Sequence, residues 1–192
     1  MSFTELVNAS RSYRSFRADK PITEEVLRRL VELTRACPAA MNLQVLKYRL
    51  VHEPSEVRSL LGISRWAASL SQKMPPEGHE PSGFIVICHD TTIAEQRPIF
   101  GIDAGIAAQT IMLGARELGF GGCILGSVAP SAASELLRLP AHLIPVLVLG
   151  LGTPDEQVVL TDAEAGKVKY YRDENNVHYV PKRSLDEIII PE

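Results

Sequence analysis

The sequence predicts an α+β fold, a sheet flanked by helices in one domain covering residues 1–192. Three observations predict it. Apolar residues switch between helical spacing and short continuous runs of strand length. Those switches do not follow a regular β-α-β alternation, which argues against a doubly wound parallel sheet. The 192 residues also suffice for one substantial core and carry no internal repeat or low-complexity tract.

The elements can be justified in chain order. Ser2-Phe3-Thr4-Glu5 has capping-box spacing and opens a short helix. A polar segment follows, Ser10-Arg11-Ser12-Tyr13-Arg14-Ser15-Phe16. A second helix starts at Thr23, with Glu24 and Glu25 facing the helix dipole. Its apolar residues Val26, Leu27, Leu30, Val31 and Leu33 share one face, and Cys37-Pro38 ends it. Leu46 to Val51 reads as a strand, and Ser55 to about Leu61 as a helix. Ser71 to Ser82, with Pro75, Pro76, Gly78 and Pro81, reads as a loop or lid. Phe84 to Cys88 is continuously apolar and reads as a buried strand.

Ile102 to Leu118 is the strongest helix, closed by Gly119 as its C-cap. Strands follow around Cys123–Leu125 and Val146–Leu149, with a short helix near Ser131–Leu139 between them. Residues 170–176 form a polar turn, and Val177 to Val180 is extended. The C-terminal segment, about residues 166–192, ends in Ile188-Ile189-Ile190. Burying one such side chain stabilises by roughly 1.5–3 kcal/mol, so this segment is expected to dock on the core or on a partner chain.

Charge and motifs exclude several functions. A net charge of -3 provides no bulk field for nucleic acid or an anionic membrane, so an anionic ligand needs local basic residues. No apolar stretch is long enough to span a bilayer. The first residues lack the basic-then-apolar pattern of a secretory signal. Cys37, Cys88 and Cys123 are odd in number and far apart, which fits a reducing cytoplasm better than a disulfide framework or zinc site. The five histidines form no His-x-x-x-His pair, and there is no Walker A motif or Gly-x-Ser-x-Gly elbow. His89-Asp90 reads as an incidental surface pair. Gly119-Phe120-Gly121-Gly122, with Gly126, follows a helix and precedes a strand. That order is the reverse of a dinucleotide fingerprint, so these glycines read as a helix cap and turn.

Three segments carry candidate chemistry. Arg11, Ser12 and Arg14 offer two guanidinium forks and a hydroxyl, the donor set that suits a phosphate. Lys182 and Arg183, set by Pro181, are a second basic pair. Each pair alone reads more readily as a solvated basic turn. In Pro38-Ala39-Ala40-Met41-Asn42-Leu43-Gln44, small residues let a flat ring approach the backbone. Asn42 and Gln44 can each donate and accept, as the pyrimidine edge of a flavin requires; a polar loop with an Asx turn is the alternative.

Taken together, the sequence resembles the nitroreductase family of flavoproteins over nearly its whole length. The resemblance rests on Arg11 to Phe16, on Pro38 to Gln44, on Asp103-Ala104-Gly105-Ile106-Ala107-Ala108-Gln109 running into Leu118-Gly119-Phe120-Gly121, and on Val180-Pro181-Lys182-Arg183-Ser184-Leu185. It implies a central, mostly antiparallel sheet in an intertwined homodimer, with FMN at the subunit interface. Arg11, Ser12, Arg14, Lys182 and Arg183 are then expected to hold the phosphate and ribityl end. Pro38, Ala39, Ala40, Asn42 and Gln44 would come from the partner subunit, and backbone N–H groups at Leu125 and Gly126 would approach the flavin N5 region.

The implied activity is ping-pong reduction of nitroaromatic, quinone or related electron-poor acceptors by NAD(P)H. A different flavin reaction on the same scaffold (flavin reduction, ene reduction or dehalogenation), a flavin-binding module without turnover, and a flavin-free interaction protein are the rivals. The sequence departs from the family pattern at Ser10, where arginine is frequent, at Ala39 and Ala40, where serine is frequent, and at Val45-Leu46, where Pro-Trp is frequent.

Overall fold

Strand β2 (Gly83–Asp90), the continuous apolar run of the sequence, is buried along its whole length and lies at the centre of the protein. Alternate residues of a strand face opposite sides of a sheet, so such a run needs cover on both. In the computed structural model, which describes residues 1–67, 70 and 72–191, both faces are covered. Phe84, Val86 and Cys88 join a core with Val57, Leu60, Trp66, Ala133 and Leu137. Ile85 and Ile87 join a second core with Leu27, Leu30, Ala104, Ala108 and Ile111.

The main sheet has four antiparallel strands in the order β1-β2-β4-β3, where β1 is Leu46–Val51, β3 is Gly121–Leu125 and β4 is Leu143–Gly152. The β2–β4 register shifts between Ile87 and Cys88, where Pro145 faces Cys88. Proline donates no ladder hydrogen bond, and an irregularity there accommodates it. A smaller sheet holds β5 (Val158–Asp162), β7 (His178–Lys182) and β6 (Tyr171–Arg172), with β7 parallel to β5 and antiparallel to β6. The predicted α+β class, antiparallel sheet and flanking helices are therefore present.

Helix α1 (Phe3–Ala9) carries the predicted capping box between Ser2 and Glu5. Helix α2 (Glu24–Thr34) is capped by Thr23 and packs with Leu27 and Leu30 inward; it ends three residues before Cys37, in a short turn. Helix α3 (Pro54–Gly62) has proline in its first turn, and α5 (Pro130–Leu136) likewise. Helix α4 (Ile99–Glu117) begins a turn earlier than its apolar pattern predicts. At its end Gly119 has φ +84°. The Phe120 N–H reaches Ala115 O at 2.8 Å and the Gly119 N–H reaches Arg116 O at 3.1 Å, a Schellman closure.

Some expectations are corrected. His89 is not a surface residue: it is buried, with Nε2 2.8 Å from Ala94 O and its ring against Phe100. The polar segment 10–16 is not a simple turn: Tyr13, Ser15 and Phe16 are buried. Strand β5 is an addition to the expected elements. Ser184-Leu185-Asp186-Glu187 has the same capping-box spacing as residues 2–5, and it opens α6 (Leu185–Ile188). At its end and beyond, Ile188, Ile189 and Ile190 remain exposed in the single chain, Ile190 at 91%. The stretch read as a lid has neither helix nor strand among its described residues; Ser71 lies outside them. Among the described residues no helix is long and apolar enough to cross a membrane, and no cluster of His, Cys, Asp or Glu could hold a metal ion.

Candidate functional site

The Arg11–Phe16 segment lies as an extended strip along the free edge of β3. Ser12 bridges Gly122 in parallel, and the Tyr13 N–H donates to Gly122 O at 2.8 Å. Gly121 permits this approach, and Gly122 lets β3 lie close to β4. A Cβ at Gly121 would stand 2.5 Å from the Tyr13 ring, and one at Gly122 would stand 2.2 Å from Gly150 O. The glycine run is thus a packing device and not a dinucleotide loop. Phe16 pins the strip from the far end, packing edge-to-face on Trp66 at 6.2 Å.

Arg14 leaves this strip into a cluster of charged and aromatic groups. Its backbone N–H donates to Glu156 Oε1, and the Ser15 N–H donates to the same oxygen at 3.1 Å. The other Glu156 oxygen pairs with Arg172 Nη2. This ion pair is buried, its side chains 2% and 8% exposed for Glu156 and Arg172. The Arg14 Nη1 donates to Ser12 O at 3.1 Å and lies 3.3 Å from His178 Nε2. Its guanidinium carbon is 5.1 Å from the centre of the Tyr170 ring, within cation–π range. Burial, then Arg14, then Arg172 push the His178 pKa down to about 4, so the imidazole is neutral at neutral pH.

The other predicted phosphate ligands are disposed differently. Arg11 Nη2 donates to Val7 O at 2.7 Å and so caps the end of α1. Lys182 ends β7 and is exposed; it shares a strand face with His178, four residues or about 13 Å along the strand. Arg183 pairs with Glu187 at 3.2 Å on the surface. No hydrogen bond or ion pair among the described residues joins Lys182 or Arg183 to Arg11 or Arg14. Leu125 is buried at the end of β3, while Gly126 is exposed, with open space where a Cβ would stand.

The Pro38–Gln44 loop is built around a 3₁₀ turn at Ala40–Asn42. Met41, Asn42 and Gln44 have φ of 52°, 53° and 51°. Left-handed backbone is uncommon outside glycine and asparagine and persists where surroundings enforce it. Here the buried Asp103 of α4 accepts from the Ala40 N–H with both carboxylate oxygens, at 3.0 and 3.1 Å. Val45 is fully buried, and its carbonyl takes the Asp90 N–H at 2.8 Å. Between these anchors Asn42 and Gln44 are exposed, and Gln44 Nε2 donates to Asn42 O at 3.3 Å. A cavity of about 260 Å³ under the loop reaches Cys37, Tyr48 and Asp103. That is below the roughly 300–1,000 Å³ of a cofactor cleft.

The model of the nitroreductase family matches residues 8–153, well over half of the chain. The chain belongs to the nitroreductase family. Among curated relatives, a NADPH-flavin oxidoreductase of Vibrio harveyi is 28% identical over 169 residues, covering 79% of this chain and 65% of that protein. An FMN reductase [NAD(P)H] of Bacillus subtilis is 26% identical over 167 residues, covering 80% and 67%. The chain thus spans about two thirds of the length of these two relatives. A nitroreductase family protein of Streptococcus pneumoniae shares the fold, with a TM-score of 0.72 over the full length of both chains at 18% identity.

The nitroreductase match includes the Arg11–Phe16 strip and the Pro38–Gln44 loop but ends before β7 and the Lys182-Arg183 pair. At the three departures from the family pattern this chain has local solutions. Ser10 Oγ donates to Met112 O at 3.4 Å, tying α1 to α4. Ala40 presents its N–H to Asp103. Val45 is core and Leu46 opens β1. Sequence reasoning missed Asp103 as a loop anchor, although an acid in the second turn of the most apolar helix was a visible signal. It also missed Glu156, Arg172 and His178, for which no local pattern exists.

Proposed function

We propose that the protein is an FMN-dependent oxidoreductase that uses NAD(P)H to reduce nitroaromatic, quinone or related electron-poor acceptors. The carrying observation is the family match, which spans both the arginine strip and the amide loop. Relatives named NADPH-flavin oxidoreductase and FMN reductase [NAD(P)H] support the cofactor and the electron donor. Arg14 supplies a guanidinium held from several sides, the group best prepared for a phosphate. Arg11, Ser12, Lys182 and Arg183 complete the phosphate and ribityl end.

The exposed Gly126 leaves the backbone beyond Leu125 open to a flat ring. Asn42 and Gln44 meet the ring's polar edge, with Pro38, Ala39 and Ala40 leaving room beside it. When bound, FMN supplies hydride chemistry that no side chain has, and the protein supplies orientation and electrostatics. Backbone N–H groups and the loop amides favour a flavin that has gained negative charge. The proton that accompanies reduction would come from solvent. Anaerobic titration tests the reading: yellow protein should bleach with NADH or NADPH, and a quinone or nitro compound should restore the colour. Yellow protein that neither nicotinamide bleaches would instead be a flavin-binding module.

The site is completed by a second copy of the chain in a cytoplasmic homodimer. Three features support this: the small cavity under the loop, the exposed Ile188–Ile190 tail, and three free thiols that suit a reducing compartment. The tail docks on the partner, where an obligate interface buries more than about 2,000 Å². Sedimentation at low micromolar concentration should give twice the chain mass of 21.1 kDa, with or without FMN. A folded monomer that binds FMN tightly would contradict a site shared between chains.

A further inference from the structure

The buried histidine of β7 has no role in the chemistry above, yet its ring touches the arginine that matters most. His178 is fully buried. Its Nε2 faces Arg14 Nη1 at 3.3 Å, and its Nδ1 is buried with no partner in the structure. Its ring stacks at a tilt on Tyr170, 5.3 Å between centroids. Tyr170 is also the ring under the Arg14 guanidinium. The charged groups around it come from three places: Arg14 from the N-terminal strip, Arg172 from β6, and Glu156, paired with Arg172, from the turn before β5.

Arginine donates and never accepts. A hydrogen bond between these two nitrogens therefore requires Nε2 to be the acceptor and the proton to sit on Nδ1. An imidazolium would present N–H to N–H and set a third positive charge beside two guanidinium groups. Burial and those two arginines keep the ring neutral, with its pKa near 4. The arrangement has a cost, an unpartnered Nδ1–H in the interior. A phenyl ring would fill a similar space without that cost, but it would leave Arg14 Nη1 without this acceptor.

We infer that His178 is the positioning residue for Arg14: its Nε2 accepts from the guanidinium and fixes the direction in which that group meets the cofactor's phosphate. The inference rests on the FMN reading above. The Tyr170 ring holds the guanidinium by its face, which leaves rotation in the plane free. The Ser12 carbonyl and the His178 nitrogen remove that rotation by both engaging Nη1, which leaves Nη2, without a hydrogen-bond partner among the described residues, for a ligand oxygen. His178 touches Arg14 and not the phosphate, so its effect is confined to ligands that carry one.

The test compares FMN with riboflavin. Wild-type protein should prefer FMN. His178→Phe should lose about tenfold in FMN affinity, the size of one ordinary hydrogen bond, with riboflavin affinity unchanged within about twofold. His178→Gln, whose carbonyl can accept from Arg14, should recover most of the loss. An FMN preference undiminished in a folded His178→Phe overturns the inference alone; equal binding of both flavins by wild-type protein removes the phosphate site and the inference with it. A second readout needs no variant. The ¹⁵N shifts of the His178 ring at pH 7 should report a neutral ring protonated at Nδ1, and a ring protonated at Nε2 or at both nitrogens overturns the inference.

Discussion

Replacing Arg14 with alanine is expected to weaken FMN binding by about 10- to 100-fold while leaving riboflavin affinity nearly unchanged. A charge-assisted hydrogen bond contributes roughly 1.5–3 kcal/mol, and each 1.4 kcal/mol is about a factor of ten in affinity. Arg14 is preferred over its basic neighbours for this test because its surroundings are the most organised. It has an acceptor in Ser12 O, a ring beneath it, and a strip of backbone tied to β3 and Glu156. Arg11 is partly committed to the α1 terminus, and Arg183 to Glu187. Fluorescence titration of both flavins reads the result, since flavin emission changes when the ring is enclosed. A similar loss for FMN and riboflavin would mean that Arg14 supports the pocket generally and does not read the phosphate. The conservative variant Arg14→Lys should retain only part of the affinity, because an ammonium lacks the planar fork.

The same cluster shows which parts of the molecule were legible in the sequence. Local rules recovered the elements whose signals are local. Ser2 and Glu5 close the capping box they spell, Thr23 caps α2, and Gly119 takes the left-handed turn that ends α4. Strand β2 was legible because its two faces are both apolar, and the fold covers both. The candidate site was legible only where one segment holds several suitable donors, as Arg11–Arg14 and Pro38–Gln44 do. Glu156 and Arg172 were not, because each is an ordinary charged residue until the chain brings them together with Arg14 from far along the sequence. His89 beside Asp90 reads as surface by composition, yet burial with Ala94 O as partner makes it part of the interior. Strand β5 hid for a related reason: its partner β7 lies beyond a polar turn, and parallel pairing leaves no hairpin signature.

Removing Glu156 should be the most destabilising single change near the site. Its two oxygens serve the Arg14 and Ser15 backbone N–H groups and the Arg172 guanidinium, all in a nearly dry environment. A buried ion pair adds little over apolar residues of the same shape. Breaking one by deleting a partner costs about 3–5 kcal/mol, because the remaining charge stays buried. Arg172 would be that remaining charge in Glu156→Ala, with its Nε already lacking a partner. For a domain of this length each kcal/mol lowers the melting temperature by about 2–4 °C, so a fall on the order of 10 °C is expected. The strip 12–16 would lose its tie to the turn before β5, and FMN affinity should drop with stability. Glu156→Gln should fall between wild type and Glu156→Ala, since an amide oxygen in the Oε1 position can still accept from both backbone N–H groups while the charge is gone. The double variant Glu156→Ala with Arg172→Met supplies the decisive comparison: with no charge left unpaired, it should recover most of the stability lost by Glu156→Ala alone, but not the FMN affinity. Recovery of both would mean that Glu156 acts on the cofactor site only through folding. Recovery of stability alone would separate the carboxylate's hold on the Arg14 strip from its pairing with Arg172.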